Sequence, residues 1–419
     1  MNKPKLLFAT PVLHHPPNGG PTLRIENSIK ALSQVSDLYL YIRIGEKVIG
    51  GKEATRFYKK ISKGVIYSPH IKPDSPTQIF FKRVVNYISN KVLKRKFFDI
   101  IYPGGGEDYE DILFVAKKLK PVAIWLGYGN ISYPLLKYLK ENSTCPIVLD
   151  TDSVWSRFVL RGLPFAKNES EIDKIKREGK AKEIEESWGT RLANITTAVS
   201  EIDAEYYRAL AGNPNQVMLF SNVIDLDSYK NIPQKSNLVS SPNIYLAGTF
   251  WPGSPMEEAA RWVIKTILPT LRNSLESIQF NILGKGSDRV LKDIDHNNVN
   301  VLGEVDSVLP FLCHSDIILV PLKFESGTRF KILEAGACSK AVVSTTLGAE
   351  CIPVANGKHI MIADSSDDFS KAILQLLKDQ KLRDQIGKNL NKLIGENYAL
   401  ANLEIEGKFI LNSIAEQNS

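Results

Sequence analysis

Apolar runs short enough to be strands alternate along the chain with longer stretches in which apolar positions return every third or fourth residue, the spacing of a helix with one buried face. In the first half the runs fall at Lys5–Thr10, Asp37–Arg43, Asp99–Tyr102, Val122–Leu126, Ile147–Asp150, Ile195–Val199 and Val217–Phe220. Strands that alternate with helices predict a parallel sheet covered on both faces. After a turn from Asn222 to Asp225 the pattern lapses into a stretch rich in Ser, Asn and Pro, residues 227–242, which reads as a linker. A second alternation follows at Asn243–Ala247, Gln279–Leu283, Val299–Leu302, Ile317–Val320, Ala341–Ser344 and His359–Ile362. The expected fold class is α/β, with two Rossmann-like, doubly wound domains, 1–226 and 243–396, facing one another across a cleft. In such sheets ligands bind outside the carboxyl ends of the strands, so one deep interdomain site is expected.

The stretch Phe324–Glu350, FESGTRFKILEAGACSKAVVSTTLGAE, reads as a polar loop, a short helix, a buried strand and another loop. Gly327 permits close backbone approach, and Thr328 suits an N-cap. Phe330, Ile332, Leu333, Ala335 and Ala337 give the helix an apolar face. Arg329 and Lys331 fall in its first turn, where the helix dipole disfavours cations. Two of them there point to a shared anion, most simply a phosphate or diphosphate. Glu334, about a turn further in, is placed to accept hydrogen bonds from vicinal hydroxyls such as those of ribose. Taken singly, either cation also fits a solvated surface helix.

Together, GTRFKILEA and VVSTTLGAE resemble the donor-binding signature of GT-B glycosyltransferases, specifically the retaining, family-4-like group (glycosyl transferases group 1), and the resemblance runs over nearly the whole chain. It implies transfer of a sugar from a nucleotide-sugar donor to a glycan, lipid-linked or other hydroxyl acceptor, with retention. The nucleotide sugar is a co-substrate, and no separate cofactor is expected. The loop holding Gly19 and Gly20, with Arg24 on the helix that follows, matches the family's glycine loop against the donor diphosphate, although such a pair is also an ordinary tight turn. Gly284 and Lys285 follow a second-domain strand in a similar way. Thr249 lies in Gly248–Pro252, where relatives carry an arginine and a lysine that are missing here. Asp152 stands where many relatives have a sugar-contacting histidine. Glu325 and Glu334 are one residue further apart than the paired glutamates of the family, and Ser326 holds the strict first position. Arg329, Lys331, Glu325 and Asp152 are the catalytic candidates. Gly19, Gly20, Thr249, Gly284, Lys285, Gly327, Thr328 and Glu334 are the donor-binding candidates. Residues 397–419 are expected to form a helix that crosses back to the first domain, as in the family. Two alternative readings remain: a nucleotide-sugar 2-epimerase, which shares the two-domain architecture but needs acid and base groups around the sugar ring that are not evident here, and a non-catalytic nucleotide-sugar binder, which the altered glutamate spacing allows.

Composition narrows the rest. The 419 residues, 43% hydrophobic and 24% charged, are ordinary for a globular enzyme. No run approaches a membrane span, and Pro11 interrupts the one apolar N-terminal stretch, which reads as a strand and not as a signal segment. Cys145, Cys313, Cys338 and Cys351 have no CxxC spacing and fit reduced thiols in the cytoplasm. Asp150 and Asp152 end a strand at the expected cleft edge with Arg157 nearby, but no surrounding His or carboxylate cluster supports a metal, and none is expected. The net charge of +7 suits an anionic partner without specifying nucleic acid, and no nucleic-acid partner is expected. Residues 78–96 are basic and amphipathic. They suit either a peripheral contact with an anionic membrane or a core-packed helix with a solvated face. Glu171–Glu186 reads as an exposed helix laced by i,i+4 ion pairs.

Overall fold

Ala123–Gly127 and Ile147–Asp150 are buried at every position, a condition met by strands with neighbours on both sides and helices on both faces. The computed structural model describes residues 3–69, 107–295 and 297–417. Strands β1 (Lys5–Thr10), β2 (Asp37–Ile42), β3 (Gly64–Tyr67), β4 (Ala123–Gly127), β5 (Ile147–Asp150), β6 (Ile195–Ala198) and β7 (Val217–Leu219) form a seven-stranded sheet in the order β3-β2-β1-β4-β5-β6-β7. Strands β8 (Asn243–Ala247), β9 (Gln279–Leu283), β10 (Val299–Gly303), β11 (Ile317–Val320), β12 (Ala341–Ser344) and β13 (Met361–Ile362) form a six-stranded sheet in the order β10-β9-β8-β11-β12-β13. The strand pairs in both are parallel. The strand order reverses between β1 and β4 and again between β8 and β11, so each sheet opens a crevice at its carboxyl edge there.

Strand β3 escapes the sequence reading because it is short, half-exposed and at the sheet edge. The expected strand at Asp99–Tyr102 and the basic segment 78–96 lie outside the described residues. In the first core Trp125 and Phe220 meet edge to face at 4.8 Å between ring centroids. Full burial of a side chain such as Phe8 is worth about 1.5–3 kcal/mol.

The helix that follows β8 is interrupted. It spans Pro255–Trp262, widens into a π turn over Val263–Ile267 and resumes at Leu268–Ser274. Pro269 has no N–H to give the carbonyl four residues back, which accounts for the widening just before it. The helix Glu169–Leu192 carries its surface ion pairs at i,i+3 (Lys180 to Glu183, Lys182 to Glu185) and not at the expected i,i+4. Its Glu186 is buried, accepting from the backbone N–H of Ser156 at 3.0 Å and from the Tyr206 hydroxyl at 2.7 Å. That ties down the short helix Trp155–Leu160.

The last helix, Leu400–Gln417, packs on the helix Gly20–Val35 and sends Leu403, Ile410, Leu411 and Ile414 into the first core. Glu406 accepts from the Ser221 N–H and hydroxyl, each at 2.7 Å. The two passages between sheets touch, since the Ile224 N–H donates to Tyr398 O at 2.8 Å. Among the described residues no helix is long and apolar enough to cross a membrane.

Candidate functional site

The loop after β11 leads from the second sheet's crevice to the helix Phe330–Ala337. Gly327 sits in it at φ +78°, and a Cβ there would lie 2.8 Å from Ser153 Cβ and 3.0 Å from Asp152 O of the first domain. Both the left-handed backbone and the contact across the cleft therefore demand glycine.

The helix starts later than its sequence suggests. Arg329, in an extended conformation, occupies the N-cap position with no side-chain cap. Thr328, the expected cap, turns its hydroxyl 3.5 Å from Val199 O on the opposite domain, which removes it from the helix end. Arg329 lies ahead of the first turn and folds over its own loop, donating from Nη1 to Ser326 O at 2.7 Å and to Gly327 O. It is 4% exposed, and among the described residues its Nε and Nη2 have no partner. Burial pulls the guanidinium pKa down. Glu325, Cys351 and Glu350 push it up, and Arg161 adds to the lowering. Lys331, in the first turn, is half-buried and has no ion-pair partner among the described residues. Burial holds its ammonium pKa below the ordinary value in spite of Glu325 and Glu334. Two desolvated cations with spare donors thus stand together, an arrangement that favours an incoming anion.

Glu325 turns its Oε1 back to the N–H of Ser326 at 3.1 Å. Glu334 is half-buried, and Tyr229 donates to its Oε1 at 3.1 Å. Burial raises the Glu334 pKa, opposed by the Tyr229 hydrogen bond and by Lys331.

The first domain closes the other side. Gly20 faces the second-domain helix directly: a Cβ on it would stand 3.3 Å from the Phe330 ring. Gly19, at the N-cap of the helix Gly20–Val35, is exposed. Asp152, after β5, accepts from Trp155 Nε1 at 3.0 Å, and its own N–H donates to Asn130 at 2.9 Å. Burial lifts its carboxyl pKa to about 6, against the lowering effect of Arg24 and of hydrogen bonds from Trp155 and Tyr128. Asp150 is not at the cleft edge as expected. It is fully buried behind the strand end, paired with Arg24 and accepting from the Thr197 hydroxyl at 2.8 Å. Arg24 is likewise consumed inside the domain, bonding also to Asn222 at 2.8 Å and Thr151 O at 3.0 Å. Arg157 pairs with Asp203 at 2.8 Å.

Thr249, Gly284 and Lys285 form a second group at the ends of β8 and β9. Phe250 N donates to Lys285 O at 2.8 Å, and Gly284, at φ +118°, lies so close to Gly248 O that a Cβ would collide with it. Thr249 and Lys285 are exposed. Because β8 neighbours β11, this group opens at the same carboxyl edge as the Arg329 loop. Among the described residues no group of three or more His, Cys, Asp or Glu side chains gathers as a metal site.

Sequence reasoning missed Arg161, Glu350, Tyr128, Trp155 and Tyr229. Arg161 donates to Glu350 at 2.7 and 2.8 Å and to Glu325 O at 2.6 Å. These partners come together only through folding, and no sequence signal sets Arg161 apart from the neighbouring Arg157, which pairs with Asp203 instead.

Residues 241–379 match the family model described as Glycosyl transferases group 1. An uncharacterized glycosyltransferase of Methanocaldococcus jannaschii is 27% identical over 130 residues, 28% of this chain and 37% of that protein. The chain thus spans little more than a third of that relative's length. Sucrose-phosphate synthase from Thermosynechococcus elongatus superposes with a TM-score of 0.68 at 12% identity, covering 99% of this chain and 100% of that one. The crystal structure of Anabaena HepE in complex with UDP-glucose gives 0.63 at 12% identity, covering 98% and 100%. Identity this low speaks to the fold: two parallel-sheet α/β domains in the GT-B arrangement, as the sequence resemblance implied.

Proposed function

We propose that the protein is a retaining glycosyltransferase that moves a sugar from a nucleotide-sugar donor to a hydroxyl of a glycan or lipid-linked acceptor. The observation that carries this reading is the pair Arg329 and Lys331, buried or half-buried cations at the mouth of a helix with donors left over. The difficult step for a nucleotide sugar is departure of the diphosphate, and cations fixed where charge grows lower that barrier. The bond from the anomeric carbon to the phosphate oxygen breaks, and its electron pair goes to the diphosphate. The acceptor oxygen bonds to the same face of the anomeric carbon, and its proton passes to the departing phosphate oxygen. No protein base is required. Glu334 holds the ribose hydroxyls, while Gly20 and Gly327 let the two domains approach closely enough to exclude water.

The complex of Anabaena HepE with UDP-glucose supports testing that donor first. Incubation with a panel of nucleotide sugars, with and without glycan or lipid-linked acceptors, should release nucleoside diphosphate faster when acceptor is present. A changed sugar nucleotide without transfer would mark an epimerase. Binding with nothing changed would mark a binding protein, the reading that the folded-back Glu325 favours.

A further inference from the structure

Tyr229 ends a short 3-10 helix, Leu226–Tyr229, just past the first passage between the sheets. That helix is tethered on both sides. At its start Asp225 pairs with Lys30 of the first domain at 2.9 Å, and at its end the Tyr229 hydroxyl reaches Glu334 Oε1 at 3.1 Å. The surroundings of Glu334 are otherwise sparse. Lys331 faces it from the same helix, Tyr245 from β8 and Cys338 from beyond the helix end. Lys331 is the one cation of this set, and among the described residues Tyr229 is the one group that hydrogen-bonds to the carboxylate. Among the described residues Oε2 accepts nothing. A glutamate has three side-chain torsions, so a carboxylate meant to meet two hydroxyls at once needs something to fix it.

We propose that Tyr229 is a positioning residue for the donor. By holding Oε1 of Glu334 it turns Oε2 and the remaining Oε1 lone pair towards the vicinal hydroxyls of the donor ribose, so that a residue of the interdomain passage sets the preference for ribonucleotides. This rests on the assignment of Glu334 to the ribose.

The test is Tyr229→Phe in the full chain, which keeps the ring and its packing. Uridine, guanosine and adenosine diphosphates and their 2′-deoxy forms are titrated by calorimetry between pH 5 and 8, beside wild type and Glu334→Ala. Tyr229→Phe should weaken the best ribonucleotide about tenfold, the size of one lost hydrogen bond to a charged group, and leave its 2′-deoxy form almost unchanged. The acid limb of ribonucleotide binding should also move to higher pH, because the lost bond no longer favours the ionised carboxyl over burial. Equal losses for both sugars, or no loss with an unmoved acid limb, would overturn the proposal. If Glu334→Ala weakens the ribonucleotide and Tyr229→Phe does not, the inference about Tyr229 fails alone. If Glu334→Ala changes nothing, the ribose assignment itself has failed.

Discussion

Arg161 forks onto Glu350 across the cleft, with nitrogen to oxygen distances of 2.7 and 2.8 Å between residues 189 positions apart. The same guanidinium takes the backbone carbonyl of Glu325, so one first-domain side chain holds both loops that flank Arg329. Burial pushes the Glu350 carboxyl up, but Arg161, with Arg157 and Arg329 behind it, outweighs burial and keeps it below the usual carboxylate range. The pair joins the two domains directly. Arg161→Ala and Glu350→Ala should each raise the donor Michaelis constant, and their effects should be non-additive by about 0.5–3 kcal/mol, as expected for groups in direct contact. A double-mutant cycle on donor affinity checks this, and strict additivity would sink it.

Glu334→Ala is expected to weaken nucleotide binding by about 1–3 kcal/mol, through loss of hydrogen bonds to a charged group. Calorimetry with the nucleoside diphosphate measures it directly. An unchanged affinity counts against the ribose assignment.

If, as proposed, the interaction of Lys331 strengthens as the glycosidic bond breaks, removing it should lower turnover more than it raises the donor Michaelis constant. Lys331→Ala should cost on the order of a hundredfold in turnover, the scale of losing one preorganised electrostatic donor. Arg329→Lys should not restore activity, since an ammonium lacks the planar fork that serves Ser326 O and Gly327 O while leaving two donors spare. Steady-state kinetics on folded variants decides, and wild-type turnover in both Arg329→Ala and Lys331→Ala would leave the transferase reading without its main support.

Asp152 offers a stability test separate from activity. Its folded-state pKa, about 6, is raised from 3.8 chiefly by burial. A raised pKa favours the folded state below the unfolded pKa, and that advantage is lost as pH climbs through the folded value. Wild type should therefore lose stability relative to Asp152→Asn between about pH 4 and 6, and the gap should be constant above that window. Denaturant unfolding at pH 4.5 and 7 compares the two, and parallel behaviour at both would refute the assignment.

If Arg329 and Lys331 meet the leaving-group charge, as proposed, activity should survive EDTA. Loss of activity that magnesium restores would show that the electrostatic partner of the diphosphate has been misassigned.

The strands at Ile147–Asp150, Asn243–Ala247, Gln279–Leu283, Ile317–Val320 and Ala341–Ser344 were legible from the chain alone, with their bounds, because each is a short, mostly apolar run buried along nearly its whole length. Hydrophobic period is a local property, and a central parallel strand expresses it fully. The edge strand Gly64–Tyr67, half-exposed, gives no such signal. The Phe324–Glu350 stretch likewise announced a loop, helix and strand from composition and spacing. What composition could not give was the pairing of its charges. Asp150 and Asp152 look equivalent in sequence, yet one is closed around Arg24 inside the first domain and the other stands beside Gly327 at the cleft. Tyr229 finds Glu334 over 105 residues, and Arg161 finds Glu350 over 189. Such partners are chosen by where two sheets dock and how far each side chain reaches. That choice is a property of the packed chain, since burial is what makes an unpaired polar group costly and so selects its partner.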